Sequence, residues 1–177
     1  MPFSNAAKAF VLHWGEMGSR WGVNRTVAQV HALLYLSPDP LTAEDIADAL
    51  SIARSNVSTS LRELQNWQLV QVAHQMGDRR DFFTTSQDVW QLFFTVLEQR
   101  VEREIEPTIA ALNRLAAEAR AEKQPEVTAR ITAMHTFLVE MHGWYSQMAK
   151  LPPSTWRKLL ELGTGITRWL PRPRVAK

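Results

Sequence analysis

Cysteine is absent. That excludes disulfides, thiolate metal sites and a cysteine nucleophile, and it is compatible with a cytoplasmic home. Glycine is scarce, at 7 of 177 residues, which is below the ~7% of ordinary proteins and suits a mostly helical chain. No apolar run approaches the ~20 residues of a bilayer-spanning helix, so no membrane segment is expected. The N-terminus offers one early cation, Lys8, and a short apolar stretch, Ala9 to Leu12; this is not the pattern of a signal peptide. No Ser/His/Asp grouping, phosphate loop or paired-carboxylate motif stands in a context that supports catalysis, so no enzyme activity and no cofactor are expected.

What is present is an ordinary globular composition, 45% hydrophobic and 21% charged, which argues against bulk disorder. At ~150 residues per domain the length allows one domain, or one with an appended helical module. The net charge of +2 is unevenly spread. Residues 150–177 carry Lys150, Arg157, Lys158, Arg168, Arg172, Arg174 and Lys177 against Glu161 alone. A solubilising tail is the default reading of that excess, and contact with DNA or acidic lipid is the alternative.

Apolar periodicity organises the chain. Phe3, Ala7, Phe10, Val11, Trp14, Met17 and Trp21 recur at helical spacing. Gly15, Gly18 and Gly22 are expected to weaken the far end of that helix. Asn24 caps a second helix bearing Val27, Val30, Leu33, Leu34 and Leu36, and Ser37-Pro38-Asp39-Pro40 stops it. Thr42 and Asp45 form an aspartate variant of the capping box, with Leu41 and Ile46 as a hydrophobic staple, and open a helix running to Leu50. After the turn Ser51-Ile52, a helix from about Ala53 to Trp67 carries Val57, Leu61 and Leu64 on its inner stripe. Two short helices joined by a short turn predict a helix-turn-helix.

The outer face of the second of these helices holds Ser55, Asn56, Ser58, Thr59 and Arg62, with Arg54 at its entrance. Short hydrogen-bonding side chains and guanidinium groups in the first half of a helix suit base edges and phosphates. A solvated polar face is the plain alternative. The next segment favours DNA. Leu69 to Met76 alternates like a strand, Gly77-Asp78-Arg79-Arg80-Asp81 is a turn, and Phe82 to Thr85 reads as a return strand. A hairpin in that position is a wing, with Arg79 and Arg80 at its tip placed for phosphate or the minor groove. Asp78 or Asp81 is available to hold one of them in place.

The "RSNVSTSLRELQNWQLV" helix and the "GDRRDFF" wing resemble those of MarR-type winged-helix regulators. "GEMGSRWGVNRTVAQVHALLYLSPDPLTAEDIADAL" looks more narrowly like the GbsR-like branch. The resemblance covers roughly residues 3–120 and is specific over 15–85. It implies a homodimeric, DNA-binding transcription factor, a repressor whose DNA affinity a small ligand changes. By position it assigns DNA contact to Arg54, Ser55, Asn56, Ser58, Thr59, Arg62, Arg79 and Arg80. In the relatives that name the branch, the regulated genes concern choline and glycine betaine.

Beyond the wing, Thr85-Ser86-Gln87-Asp88 supplies a cap for a long helix, in which Pro107 is expected to produce a kink or a new start. Residues 122–125 form a break. Val127, Ile131, Met134, Leu138, Met141, Tyr145 and Met148 then step by four and three, a heptad seam. The seam packs on the preceding helix or on a second chain; the short break favours the preceding helix. Pro152-Pro153 ends this helix, and Ser154 caps a last one carrying Trp156, Leu159, Leu160 and Trp169.

Trp14, Trp21 and Trp90, with Phe94, flank the winged-helix core. Plain packing explains them; an aromatic cage for a quaternary ammonium effector is the sharper alternative. His135 and His142 lie two helical turns apart, too far for one metal by themselves, and no metal site is assigned.

The expected architecture is therefore mainly α, a winged helix-turn-helix with a small β-hairpin wing and flanking dimerisation helices. The divisions are an N-terminal dimerisation helix (1–23), the DNA-binding winged helix (24–86), long helices for dimerisation and a possible effector region (87–150), and a C-terminal short helix with a basic tail (151–177). The expected partners are double-stranded DNA, a second copy and a quaternary ammonium compound. A winged-helix adaptor or architectural protein without an effector is the rival reading.

Overall fold

The computed structural model describes residues 4–152 together with 155, 156, 158, 159, 161 and 162. Phe3, the Ser154 cap, Leu160, Trp169 and most of the tail cations lie outside the described residues. Among the described residues the main elements follow one another as α1 (Asn5–Arg20), α2 (Arg25–Leu36), β1 (Leu41–Thr42), α3 (Ala43–Leu50), α4 (Arg54–Asn66), β2 (Gln71–Ala73), β3 (Phe82–Thr84), α5 (Val89–Arg100), α6 (Glu106–Ala121) and α7 (Pro125–Met148). A π-helical turn, Val101–Ile105, joins α5 to α6. The chain divides into two compact units, Met1–Gln99 and Arg100–Lys177. This is the mainly helical winged helix-turn-helix that the sequence predicts.

Local chemistry sets the element boundaries in the first unit. The Asn24 carboxamide oxygen accepts the Thr26 N–H at 2.8 Å and starts α2. The Thr42 hydroxyl oxygen accepts the Asp45 N–H while the Asp45 carboxylate accepts the Thr42 N–H, so α3 opens with two otherwise orphaned donors satisfied. The Thr42 hydroxyl also donates to Asp45 Oδ2 at 2.6 Å, and this bond, with that from the Thr42 N–H, holds the Asp45 carboxyl below its ordinary value. Ser51 takes the left-handed conformation at φ 55° and turns the chain between α3 and α4.

The core of this unit gathers Val11, Val27, Val30, Leu33, Leu34, Ile46, Val57, Leu61, Leu64 and Val70. Helix α1 contributes Val11 to it and packs along α2. Helix α1 continues regularly across Gly15 and Gly18 to Arg20. Gly15 and Gly18 mark the crossing with α2, where a Cβ on Gly18 would stand 2.5 Å from the Ala28 Cβ. Close helix approach is what they provide at this crossing.

The sheet has three strands, one more than the expected hairpin. β3 is its central strand and pairs antiparallel with both β1 and β2. Leu41 faces Phe83 and Thr42 faces Phe82, so the residues that cap α3 also anchor the wing to the helix-turn-helix. The first wing strand is three residues long, not the eight of its alternating pattern, and residues 74–81 form a loop.

Of the two outcomes expected at Pro107, the chain takes the new start. The Glu106 N–H reaches back five residues to the Val101 carbonyl, and Pro107 then sits in the first turn of α6. The widened turn suits a proline that has no N–H to give. In the second unit α7 packs along α6. Ile131, Leu138 and Tyr145 are half-buried there, while Val127, Met134 and Met141 remain exposed. The heptad seam thus splits into a packed column and an open one. His142 Nε2 lies 3.3 Å from Glu106 Oε1 across this helix pair.

Candidate nucleic-acid interface

Helix α4 presents two chemically distinct faces. Val57, Ser60, Leu61 and Leu64 are buried. Arg54, Ser55, Asn56, Ser58, Thr59 and Arg62 are all exposed. Burial of every third or fourth residue is what fixes the polar set outward, because rotating the helix would place guanidinium groups in the core. The Thr59 hydroxyl donates to the Ser55 carbonyl at 3.1 Å, which leaves its lone pairs as acceptors. Among the described residues, no ion pair holds Arg54, Arg62 or Arg79.

The wing arginines differ from each other. Arg80 Nε lies 3.1 Å from both Asp78 carboxylate oxygens, and its Nη2 lies 2.6 Å from Oδ2. Its backbone N–H also donates to Asp78 Oδ1, at 3.0 Å. Its guanidinium carbon stands 5.4 Å from the Phe82 ring centroid. The Arg80 hydrogen bonds push the Asp78 carboxyl down to about 2. Arg80 is therefore a guanidinium pre-oriented within the wing loop by Asp78, and Arg79 an untethered one beside it. Of the two acids offered by the sequence, Asp78 is the one that holds an arginine; Asp81 lies 4.0 Å from His74 Nδ1.

One further linkage sits at the root of the wing. The Thr85 hydroxyl donates to the Leu69 carbonyl at 2.6 Å. Its only proton being used, its oxygen can meet His31 Nε2, 3.3 Å away, only as an acceptor from an Nε2–H. Burial pushes the His31 imidazole down to about 4. The pairing of His31 with Thr85 spans 54 residues, and no local signal in the sequence announces it.

The proposed cage residues fall into two groups. Trp14 stacks on Phe10 at 5.5 Å, and Phe10 on Tyr35 at 6.4 Å. Trp90 stacks on Phe94 at 6.3 Å, and Phe93 meets Phe94 edge-on. Trp21 is exposed. Phe10 also lines a cleft of about 890 Å³, bordered by Leu36, Leu41, Asp39, Asp45 and Asp48. Among the described residues, no three His, Asp or Glu side chains gather as metal ligands, and no helix is long and apolar enough to cross a membrane.

The sequence model of the MarR family matches residues 21–81, which span α2 to the wing. Over 146 residues the chain is 23% identical to the putative HTH-type transcriptional regulator YvaV of Bacillus subtilis strain 168, covering 80% of this chain and 82% of that one. It is 22% identical over 98 residues to the HTH-type transcriptional repressor GbsR of the same organism, spanning 55% of this chain and 54% of the relative. Among solved structures, a crystal structure of a transcriptional regulator aligns with a TM-score of 0.56 at 21% identity, covering 80% of this chain and 99% of the other. That likeness shares the fold.

Proposed function

We propose that this chain, whose residues 21–81 form a winged helix of the MarR type, is a sequence-specific DNA-binding transcriptional regulator that acts as a repressor. The observation that carries the reading is the joint geometry of α4 and the wing. Helix α4 turns a row of polar and cationic side chains outward, and the wing adds one arginine held by Asp78 and one untethered. Base edges suit the first set; phosphates and a narrow minor groove suit the second. The names of the relatives, transcriptional regulator and repressor, support the same reading.

A second copy completes the site. The outer face of α7 leaves Val127, Met134, Phe137, Met141 and Trp144 exposed, more contiguous apolar surface than a surface helix keeps without a partner. A twofold pair of recognition helices then reads an inverted repeat with half-sites about one helical turn apart.

The test is a titration of duplex DNA at several salt concentrations. Wild-type protein is expected to bind two chains per duplex, with a steep fall of log K against log[salt]. Arg79→Ala should weaken specific and scrambled duplexes alike and lower the slope by about one ion per subunit. Binding that ignores salt, or a slope indifferent to Arg79, would instead favour the adaptor reading.

The effector we assign is a quaternary ammonium compound. Its support is the aromatic stack Trp14–Phe10–Tyr35 leading to a cleft edged by Asp39, Asp45 and Asp48, since π faces and carboxylates both attract a cation. Millimolar choline should quench tryptophan fluorescence saturably and shift the DNA-binding midpoint. No change in fluorescence or thermal midpoint with choline and with glycine betaine would dismiss this ligand class.

A further inference from the structure

The wing tip carries an apolar side chain with nothing to pack on. Met76 has a relative exposure of 106%, the highest of any large apolar residue described. It occupies a corner of the turn Gln75–Asp78, closed by the Asp78 N–H donating to the Gln75 carbonyl at 3.2 Å. Gly77, at φ +85°, supplies the left-handed residue that such a turn demands at its third position. A side chain at that corner projects away from the hairpin, and the bidentate Asp78–Arg80 pair stiffens the chain just beyond it.

The surroundings of Met76 are selective. Both acids of the loop have a partner: Asp78 holds Arg80, and Asp81 lies beside His74. The tip thus offers a thioether followed three and four residues later by Arg79 and by Arg80, the second held by Asp78. A single exposed apolar side chain is ordinary on a protein surface; what sets this one apart is its place at the tip of the wing, on the element that carries Arg79 and Arg80. A narrow minor groove matches this pattern. Its walls are the apolar faces of deoxyribose, its rims are phosphates, and it admits slender, flexible apolar side chains.

We propose that Met76 is an apolar wedge: on DNA its thioether enters the minor groove at the flank of each half-site, against the sugars, while Arg79 and Arg80 take the adjacent phosphates and groove edge. The inference rests on the DNA-binding reading above and adds to it a residue that acts without charge. An apolar contact strengthens binding without releasing counterions, so its loss leaves the salt slope unchanged. It also requires an open groove floor, which the guanine N2 amino group obstructs.

The experiment uses full-length protein and a duplex that the wild type has selected from a random-sequence pool. Met76→Ala is expected to weaken binding roughly tenfold, as fits the exposure of a methionine side chain to water, with the thermal midpoint and salt slope of the wild type. Met76→Leu should bind within about twofold of wild type, since it restores the apolar volume. Replacing A·T by G·C at the flanks should weaken the wild type, and I·C, which lacks the N2 amino group, should restore it. Met76→Ala should respond less to that exchange. Wild-type affinity in Met76→Ala, or a loss accompanied by a lower salt slope, overturns the wedge while leaving DNA binding intact. A wild-type protein that selects no duplex overturns the wedge and the DNA-binding reading together.

Discussion

Between pH 6.5 and pH 4 the protein is expected to lose about 3 kcal/mol of folding stability, and His31 is the cause. The imidazole titrates at 6.5 in the unfolded chain and is pushed down to about 4 in the fold by burial. The folded state therefore favours the neutral ring. Above pH 6.5 both states are neutral and the stability is complete. As pH falls through the window the unfolded chain takes up a proton that the folded chain refuses, and stability drops until pH 4, below which both states are charged. The Nε2–H bond to Thr85, whose hydroxyl serves the Leu69 carbonyl, fixes the tautomer and leaves Nδ1 to take the proton, so the refusal comes from burial. His31→Gln keeps an amide donor near the Nε2 position and cannot charge. Urea unfolding of both proteins at pH 7, 6, 5 and 4 measures the difference. The variant should show a nearly flat profile over this window; a profile as steep as the wild type's would remove His31 as the proton-linked group.

How much of this was legible in the sequence follows from the range of each interaction. The Thr42–Asp45 capping box and the Asn24 cap involve neighbours two or three residues apart, and both were readable. The inward stripe of α4 was readable for the same reason, since 3.6-residue periodicity is a local property. Strand β1 was not: it is two residues long, and its partner lies some forty residues later. The role of Gly18 needed knowledge of Ala28 on the facing helix; without it, the glycine reads as a weak point. The α7 seam is a subtler case. Spacing of 3.5 residues marks two adjacent apolar columns but does not say which neighbour each column meets, and the structure gives one column to α6 while leaving the other open. In the wing, the sequence offered two acids for two arginines, and only the turn geometry selects Asp78 with Arg80. The same turn places Met76 at its corner, which no pattern of residue types announces.

Asn56→Ala is expected to cost about 1–3 kcal/mol of binding on the preferred duplex and distinctly less on scrambled DNA. Asn56 lies in the first turn of α4, exposed, one residue before Val57, which is fully buried. Its position is therefore held by the core even though its own side chain contacts none of it. A carboxamide offers a donor and an acceptor side by side, which matches the N6 and N7 edge of adenine in the major groove. Removing it leaves those base atoms to water and lets other base pairs compete at that position. On the proposed dimer, which would read an inverted repeat, the relaxed preference should appear once in each half-site and nowhere else. The salt slope should stay as in the wild type, since no phosphate contact is lost, and the thermal midpoint should stay because the Val57, Leu61 and Leu64 packing is untouched. Arg62, on the same face, is long enough to reach either a guanine edge or a phosphate, and the two roles separate by the same pair of measurements. A base-reading Arg62→Ala loses discrimination; a phosphate-binding one loses slope. Equal weakening of the specific and scrambled duplexes by Asn56→Ala would mean that this face of α4 holds the backbone, and that sequence is read elsewhere.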